Sequence, residues 1–138
     1  MLFRSDEARA VAAATVTLAE LLEATPGWEP PSLAGVEVVA QPHCHHHAVM
    51  GWEVDAKLLA STGAKVNRVA GCCGLAGNWG MEQGHYDVSV AVAESNLLPA
   101  VRAASADAIV LADGFSCRTQ LDDLANQPAL HLAQLLDR

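Results

Sequence analysis

The sequence predicts an α/β fold: a small parallel sheet of three to four strands, with helices on both faces and a site at the C-terminal edge of the strands. Short β-rich runs recur at Val36–Ala40, Lys65–Ala70 and Asp107–Ala112. Each is followed by a loop bearing glycine or proline, and then by a stretch with apolar residues at helical spacing. Strands alternating with helices are joined by crossovers, which makes neighbouring strands parallel and covers both sheet faces.

The elements follow in order. Asp6 to Ala24 reads as one helix, capped by Ser5 or Asp6, with Val11, Thr15, Leu18 and Leu22 on one face and Pro26-Gly27 ending it. Trp28 to Ser32 is a stiff connector. Residues 1–33 thus form an N-terminal helix and connector, and residues 34–138 an α/β core, within one cysteine-rich domain. Val36–Ala40 is the first strand, and the polar loop Gln41 to His47 leaves it. Ala48 to Ser61 reads as a helix with Met50, Val54 and Leu58 on its core face and Gly63 just past its end. Lys65–Ala70 is the second strand and runs into the loop Gly71-Cys72-Cys73-Gly74. Met81 to Leu98 mixes two periods. Val88, Val90 and Val92 alternate as in a strand, but the length and the alanines favour a helix, broken or kinked at Pro99 and continuing to Ala104. Asp107–Ala112 is the third strand, Ser116 caps a helix to about Ala125, and Ala129–Leu136 closes the chain as a helix.

Composition narrows the function. The 138 residues suit one domain with one core, and 51% of them are apolar. Aromatics are 4%, so Ala, Val and Leu must fill that core. The net charge of −8 and the lack of a basic patch argue against nucleic acid as a partner. No apolar run approaches the ~20 residues of a membrane span. Met1-Leu2-Phe3-Arg4-Ser5 lacks the apolar segment of a signal peptide, which points to a reducing, cytoplasmic setting. Helical pattern starts almost at residue 6, which raises the expectation that the chain is a piece of something longer.

Four cysteines in a reducing setting read as metal ligands or reactive thiols before they read as disulfides. Cys72 and Cys73 are adjacent, with Cα atoms about 3.8 Å apart, below the ~4.4 Å that a relaxed disulfide needs. Cys44 follows the first strand, Cys72 and Cys73 the second, and Cys117 the third. Parallel strands end on one edge of the sheet, where open α/β folds place ligands. All four sulfurs are therefore predicted to gather at one site. Their loops open helices, whose free N–H groups favour thiolates. Four thiolates suit zinc or an iron–sulfur cluster. Without a Cys-x-x-Cys knuckle the pattern leans to the larger iron object.

At these residues the chain resembles a known family. His43-Cys44-His45, Gly71-Cys72-Cys73-Gly74 with Ala76-Gly77, and Gly114-Phe115-Ser116-Cys117-Arg118-Thr119-Gln120 are similar to the cysteine-rich CCG domain. That domain occurs in the cysteine-rich subunit of heterodisulfide reductase and in the iron–sulfur subunits of glycolate oxidase and anaerobic glycerol-3-phosphate dehydrogenase. The likeness is greatest to the C-terminal domain of FAD-linked oxidases of D-2-hydroxyacids such as D-lactate, and runs from about Val36 to Leu136. It implies that Cys44, Cys72, Cys73 and Cys117 hold an iron–sulfur cluster. It implies an electron-transfer module of an FAD-linked oxidoreductase, inactive in isolation, whose partners are flavin-binding and ferredoxin-like domains or subunits. The implied location is cytoplasmic, with any contact to the inner membrane face made through partners. The heterodisulfide reductase type ends in Cys-x-x-Cys, and Gly114 stands where its first cysteine would be. Four thiolates make a single 4Fe-4S cluster the simpler expectation. The chain has no Gly-x-Gly-x-x-Gly and no ferredoxin cysteine run, so FAD belongs to a separate domain or subunit. Two other readings stay open: a zinc-binding or metal-free structural or docking domain, and a thiol–disulfide redox enzyme.

Other residues have competing readings. His43, His45 and His85 are the candidates for proton transfer. His46 and His47 read as solvated loop residues. Asn78 and Trp79 line a pocket or, in the simpler reading, cover the cysteine site. His85 and Tyr86 read more simply as packing a helix start against a loop. Asp113 is a general base or, more simply, a cap, Arg118 pairs with an anion or with a surface carboxylate, and Met50 reads as core.

Overall fold

The computed structural model describes residues 5–138. The segment 1–4, read above for its lack of a signal peptide, lies outside the described residues. The chain runs α1 (Asp6–Ala14), α2 (Leu18–Glu23), β1 (Glu37–Ala40), α3 (Glu53–Ser61), β2 (Lys65–Arg68), α4 (Tyr86–Ser95), α5 (Leu97–Ala103), β3 (Ile109–Leu111), α6 (Phe115–Ala125) and α7 (Leu132–Leu136). The three strands form one parallel sheet in the order β2-β1-β3. Val38 lies opposite both Val66 and Ile109.

The sheet divides two apolar clusters. Val38 and Ala40 of β1 pack with Leu58 and Leu59 of α3, and with Ala19, Leu132 and Leu135 of α2 and α7. Val39 and Val110 face the other way, against Leu97 of α5 and Leu121 of α6. Alternate side chains of a strand point to opposite faces, so the unbroken apolar run of β1 serves both layers. Helices therefore cover both faces, as expected. β2 is an edge strand, and Lys65, Asn67 and Arg68 on it are exposed. No helix among the described residues is long and apolar enough to cross a membrane.

Several boundaries differ from expectation. The single helix over Asp6–Ala24 is two, interrupted at Thr15–Thr17. Thr17 Oγ accepts the Glu20 N–H at 3.2 Å while the Glu20 carboxylate accepts the Thr17 N–H at 2.6 Å, a reciprocal start signal inside the periodic run. α1 buries no residue, so tertiary packing does not oppose the break. The helix read from Ala48 is also interrupted. A wide π turn spans His46–Met50, and Gly51 at φ 86° ends it before α3. Met50 is consequently 45% exposed rather than core. Further on, the chain breaks at Asn96 (φ −144°, ψ −49°) and not at Pro99. Pro99 sits in the first turn of α5, where an N–H has no partner within the helix to lose. Gly114, not Ser116, precedes α6 as its cap.

Candidate metal centre at the sheet edge

The strand ends deliver the four cysteines to one place. Cys44, Cys72, Cys73 and Cys117 together line a cavity of about 290 Å³, with His43 and His45 in its wall. β1 sits between β2 and β3. The chain leaving β1 turns into α3 on one face, while the chain leaving β3 turns into α6 on the other. Such a divergence of adjacent connections opens a crevice at the strand ends. Cys44 starts the helical turn after β1, Cys117 lies in the first turn of α6, and the Cys72-Cys73 loop comes from the edge strand. No helix opens directly on that loop. A short 3₁₀ turn follows it, and α4 starts only at Tyr86.

Backbone geometry holds the loop instead. The buried Gln41 side chain donates to Gly71 O at 3.1 Å, joining the exit of β1 to the double-cysteine loop. Gly74 has φ 95°, and a Cβ there would stand 2.2 Å from Ser89 O. Gln120 of α6 donates to Ser89 Oγ at 2.9 Å, fixing α4 beside it. Ala76 adopts φ 49°, a conformation costing an alanine about 1–3 kcal/mol. Its N–H and that of Leu75 turn toward the Cys73 sulfur. The Gly74 N–H donates to Cys72 Sγ at 3.3 Å. Ser116, expected to cap α6, instead accepts the Gly77 N–H at 3.1 Å and ties the loop to α6.

The four thiols are free of disulfides and unequal. A hydrogen bond with Cys117, helped by the Leu75 and Ala76 N–H groups, holds Cys73 down to about 6 against its burial. Cys117 is pushed up, first by that same bond and then by burial. Cys44 is exposed on the rim. Desolvation of its sulfur, followed by its contact with Cys72, moves it up to about 11. Cys73 is thus the more acidic thiol of the Cys73–Cys117 pair.

The other predicted residues are scattered. His43 and His45 border the thiol cavity, and His85 does not. His85 stacks on Trp79 with ring centroids 4.3 Å apart. Tyr86 donates to Asp123 at 3.1 Å, so this pair packs the start of α4. Neither Asn78 nor Trp79 lines the thiol cavity, so Trp79 is not its cover. Asn78 bonds Glu82 at 3.2 Å instead. Arg118 makes no ion pair among the described residues, and its Nε is buried without a hydrogen-bond partner. His47 stays exposed beside Arg68.

His46 is a correction. Its side chain is 15% exposed, and Nε2 stands 3.2 Å from Asp55 Oδ2. Asp55 is buried, and burial pushes its carboxyl up from the ordinary value, with His46 opposing. Asp113 caps α7 by accepting the Leu132 N–H at 2.7 Å. His46, Asp55 and Asp113 bring ligand atoms within 4.8 Å of one another, and no three cysteine sulfurs come that close among the described residues. Asp55 carries no signal in the sequence. It reads as the first-turn acid of an ordinary helix.

Against known proteins, no family model, no curated protein and no solved structure matches the chain.

Proposed function

We propose that Cys44, Cys72, Cys73 and Cys117 hold an iron–sulfur cluster. The domain then works as an electron-transfer module of an FAD-linked oxidoreductase acting on 2-hydroxyacids of the D-lactate or glycolate kind. The observation that carries the proposal is the convergence of four unpaired sulfurs from three separate strand ends on one cavity. The spacing of the donors supports a multi-iron object over a single ion. Tetrahedral zinc with bonds of about 2.3 Å needs its sulfurs about 3.8 Å apart, and no three of these are within 4.8 Å among the described residues. The motif resemblance to the CCG domain supplies the oxidoreductase context and the 2-hydroxyacid class.

A cluster bound here would supply one-electron redox capacity. The chain's own groups have definite tasks around it. The N–H groups of Gly74, Leu75 and Ala76 stabilise negative charge on the Cys72 and Cys73 sulfurs. His43 and His45 stand in the cavity wall and are the proposed proton carriers there. Phe115 is 77% exposed and lies two residues before Cys117, which puts an apolar contact for a flavin-bearing partner beside the site. FAD is carried by that partner.

A thiol–disulfide activity is the second reading, favoured by a Cys73 thiol held at about 6 beside Cys117. Its near-complete burial, 2% exposed, weighs against attack on a large substrate. Iron and acid-labile sulfide measured after anaerobic purification test both readings. Brown protein with about four of each per chain, lost in Cys→Ser variants, is expected. Colourless protein with one zinc would replace the proposal with a structural or docking role. Metal-free protein that exchanges disulfides through Cys73 would replace it with thiol chemistry.

A further inference from the structure

We propose that His46, Asp55 and Asp113 form a second site, for a divalent cation of hard or borderline character, in the cavity next to the thiols. The cavity measures about 470 Å³, and all three residues line it. They come from three different elements: the π turn after β1, the first turn of α3 and the exit of β3. π turns accommodate one extra residue per turn and recur at functional sites. Here the turn is closed by the Gly51 N–H on His46 O at 3.0 Å.

Two features point to a cation at this place. His46 Nε2 is buried without a hydrogen-bond partner, although Asp55 Oδ2 is 3.2 Å away. With Nε2 unprotonated, its lone pair and the facing carboxylate oxygen repel unless a positive charge lies between them. The Asp55 side chain is 4% exposed, and a buried carboxylate needs a counter-charge. Lys and Arg do not line the cavity. Asp113 spends one oxygen on the Leu132 N–H and, as a carboxylate, keeps lone pairs for an ion.

One imidazole and two carboxylates suit Mn²⁺, Fe²⁺ or Zn²⁺ and leave positions open toward the cavity. Three ligands about 2.1 Å from one ion, evenly spread, are at most about 3.6 Å apart. The widest pair of the triad, now within 4.8 Å, therefore closes by about an ångström on loading. The inference is independent of what the cysteines hold.

Mn²⁺ is the probe, because it avoids thiolates. The full chain, freed of metal by a chelator, is titrated while the electron paramagnetic resonance signal of free Mn²⁺ is followed. One saturable site per chain is expected, together with a rise in Tm. Asp55→Asn and Asp113→Asn should each weaken binding about tenfold or more, and Cys44→Ser should leave it unchanged. No saturable binding by the wild-type chain overturns the proposal, as does binding that survives both Asp variants or is lost with Cys44→Ser. Should Asp55→Asn fail to fold, Asp113→Asn decides the matter: its side chain is 25% exposed and asparagine still accepts the Leu132 N–H.

Discussion

The imidazole of His43 fills the space that any side chain at position 114 would need: a Cβ on Gly114 would stand 2.3 Å from His43 Cδ2. Gly114 has φ −71°, open to every residue, so the conflict is one of volume alone. The glycine and the histidine are therefore coupled across the exits of β3 and β1. A cysteine at 114, the residue of the heterodisulfide reductase type, has no room while His43 stays in place. Gly114→Ala should destabilise the protein by about 1–3 kcal/mol in urea denaturation. The double variant with His43→Ala should recover most of that loss, and additive losses would show that the two residues do not compete for one space.

Gly74 makes a harsher demand. Its φ of 95° strains any side chain, and Ser89 O blocks the Cβ position at 2.2 Å. Backbone strain and overpacking together put the cost of Gly74→Ala at about 2–5 kcal/mol. The loop between Cys73 and Ala76 should shift with it, so thermal denaturation and the reactivity of Cys73 should change together. Full stability in this variant would mean that the loop does not pack on α4 as described.

Cys73 and Cys44 of the metal-free protein should titrate well apart. Ultraviolet thiolate absorbance should show the first ionisation near pH 6, at the Cys73–Cys117 pair, and that of Cys44 near 11. Because the Cys73 value is depressed from 9.0, its contribution to stability is complete above pH 9, shrinks as the pH falls, and is gone below about 6. Cys44 and Cys117 are shifted the other way and oppose folding above pH 9. Stability of the reduced, metal-free chain should therefore rise from pH 6 to about 9 and then turn down. A flat profile across that window would contradict the pairing of Cys73 with Cys117.

Burial separates the cysteines in another way. Cys117 is 1% exposed and Cys44 lies on the rim. Cys117→Ser should cost about 1–3 kcal/mol in the metal-free protein through an added buried hydroxyl. Cys44→Ser should stay within about 0.5 kcal/mol. Equal losses in denaturant unfolding would contradict the difference in burial.

Much of this arrangement was legible along the chain. β-branched runs bounded by glycine and proline mark the strands, and alternation with helices makes them parallel. Parallel strands end on one edge, so Cys44, Cys72, Cys73 and Cys117 could be placed together before any contact was known. Gly63, at φ 79° after α3, was readable as a helix stop for the same kind of local reason. These are properties of backbone direction and of single residues, and neighbouring sequence is enough to state them.

Other features depended on which residues meet. Thr17 and Glu20 overrode a continuous helical period because α1 has no core to dock against. Met50, apolar and in phase, turned outward when the π turn shifted the register. Asp55 gained its neighbours only when the exits of β1 and β3 came within a few ångströms of α3. Periodicity and spacing are local quantities. The distance between His46, Asp55 and Asp113 is set by the packing of three elements against one another, and for that reason only the tertiary structure decided it.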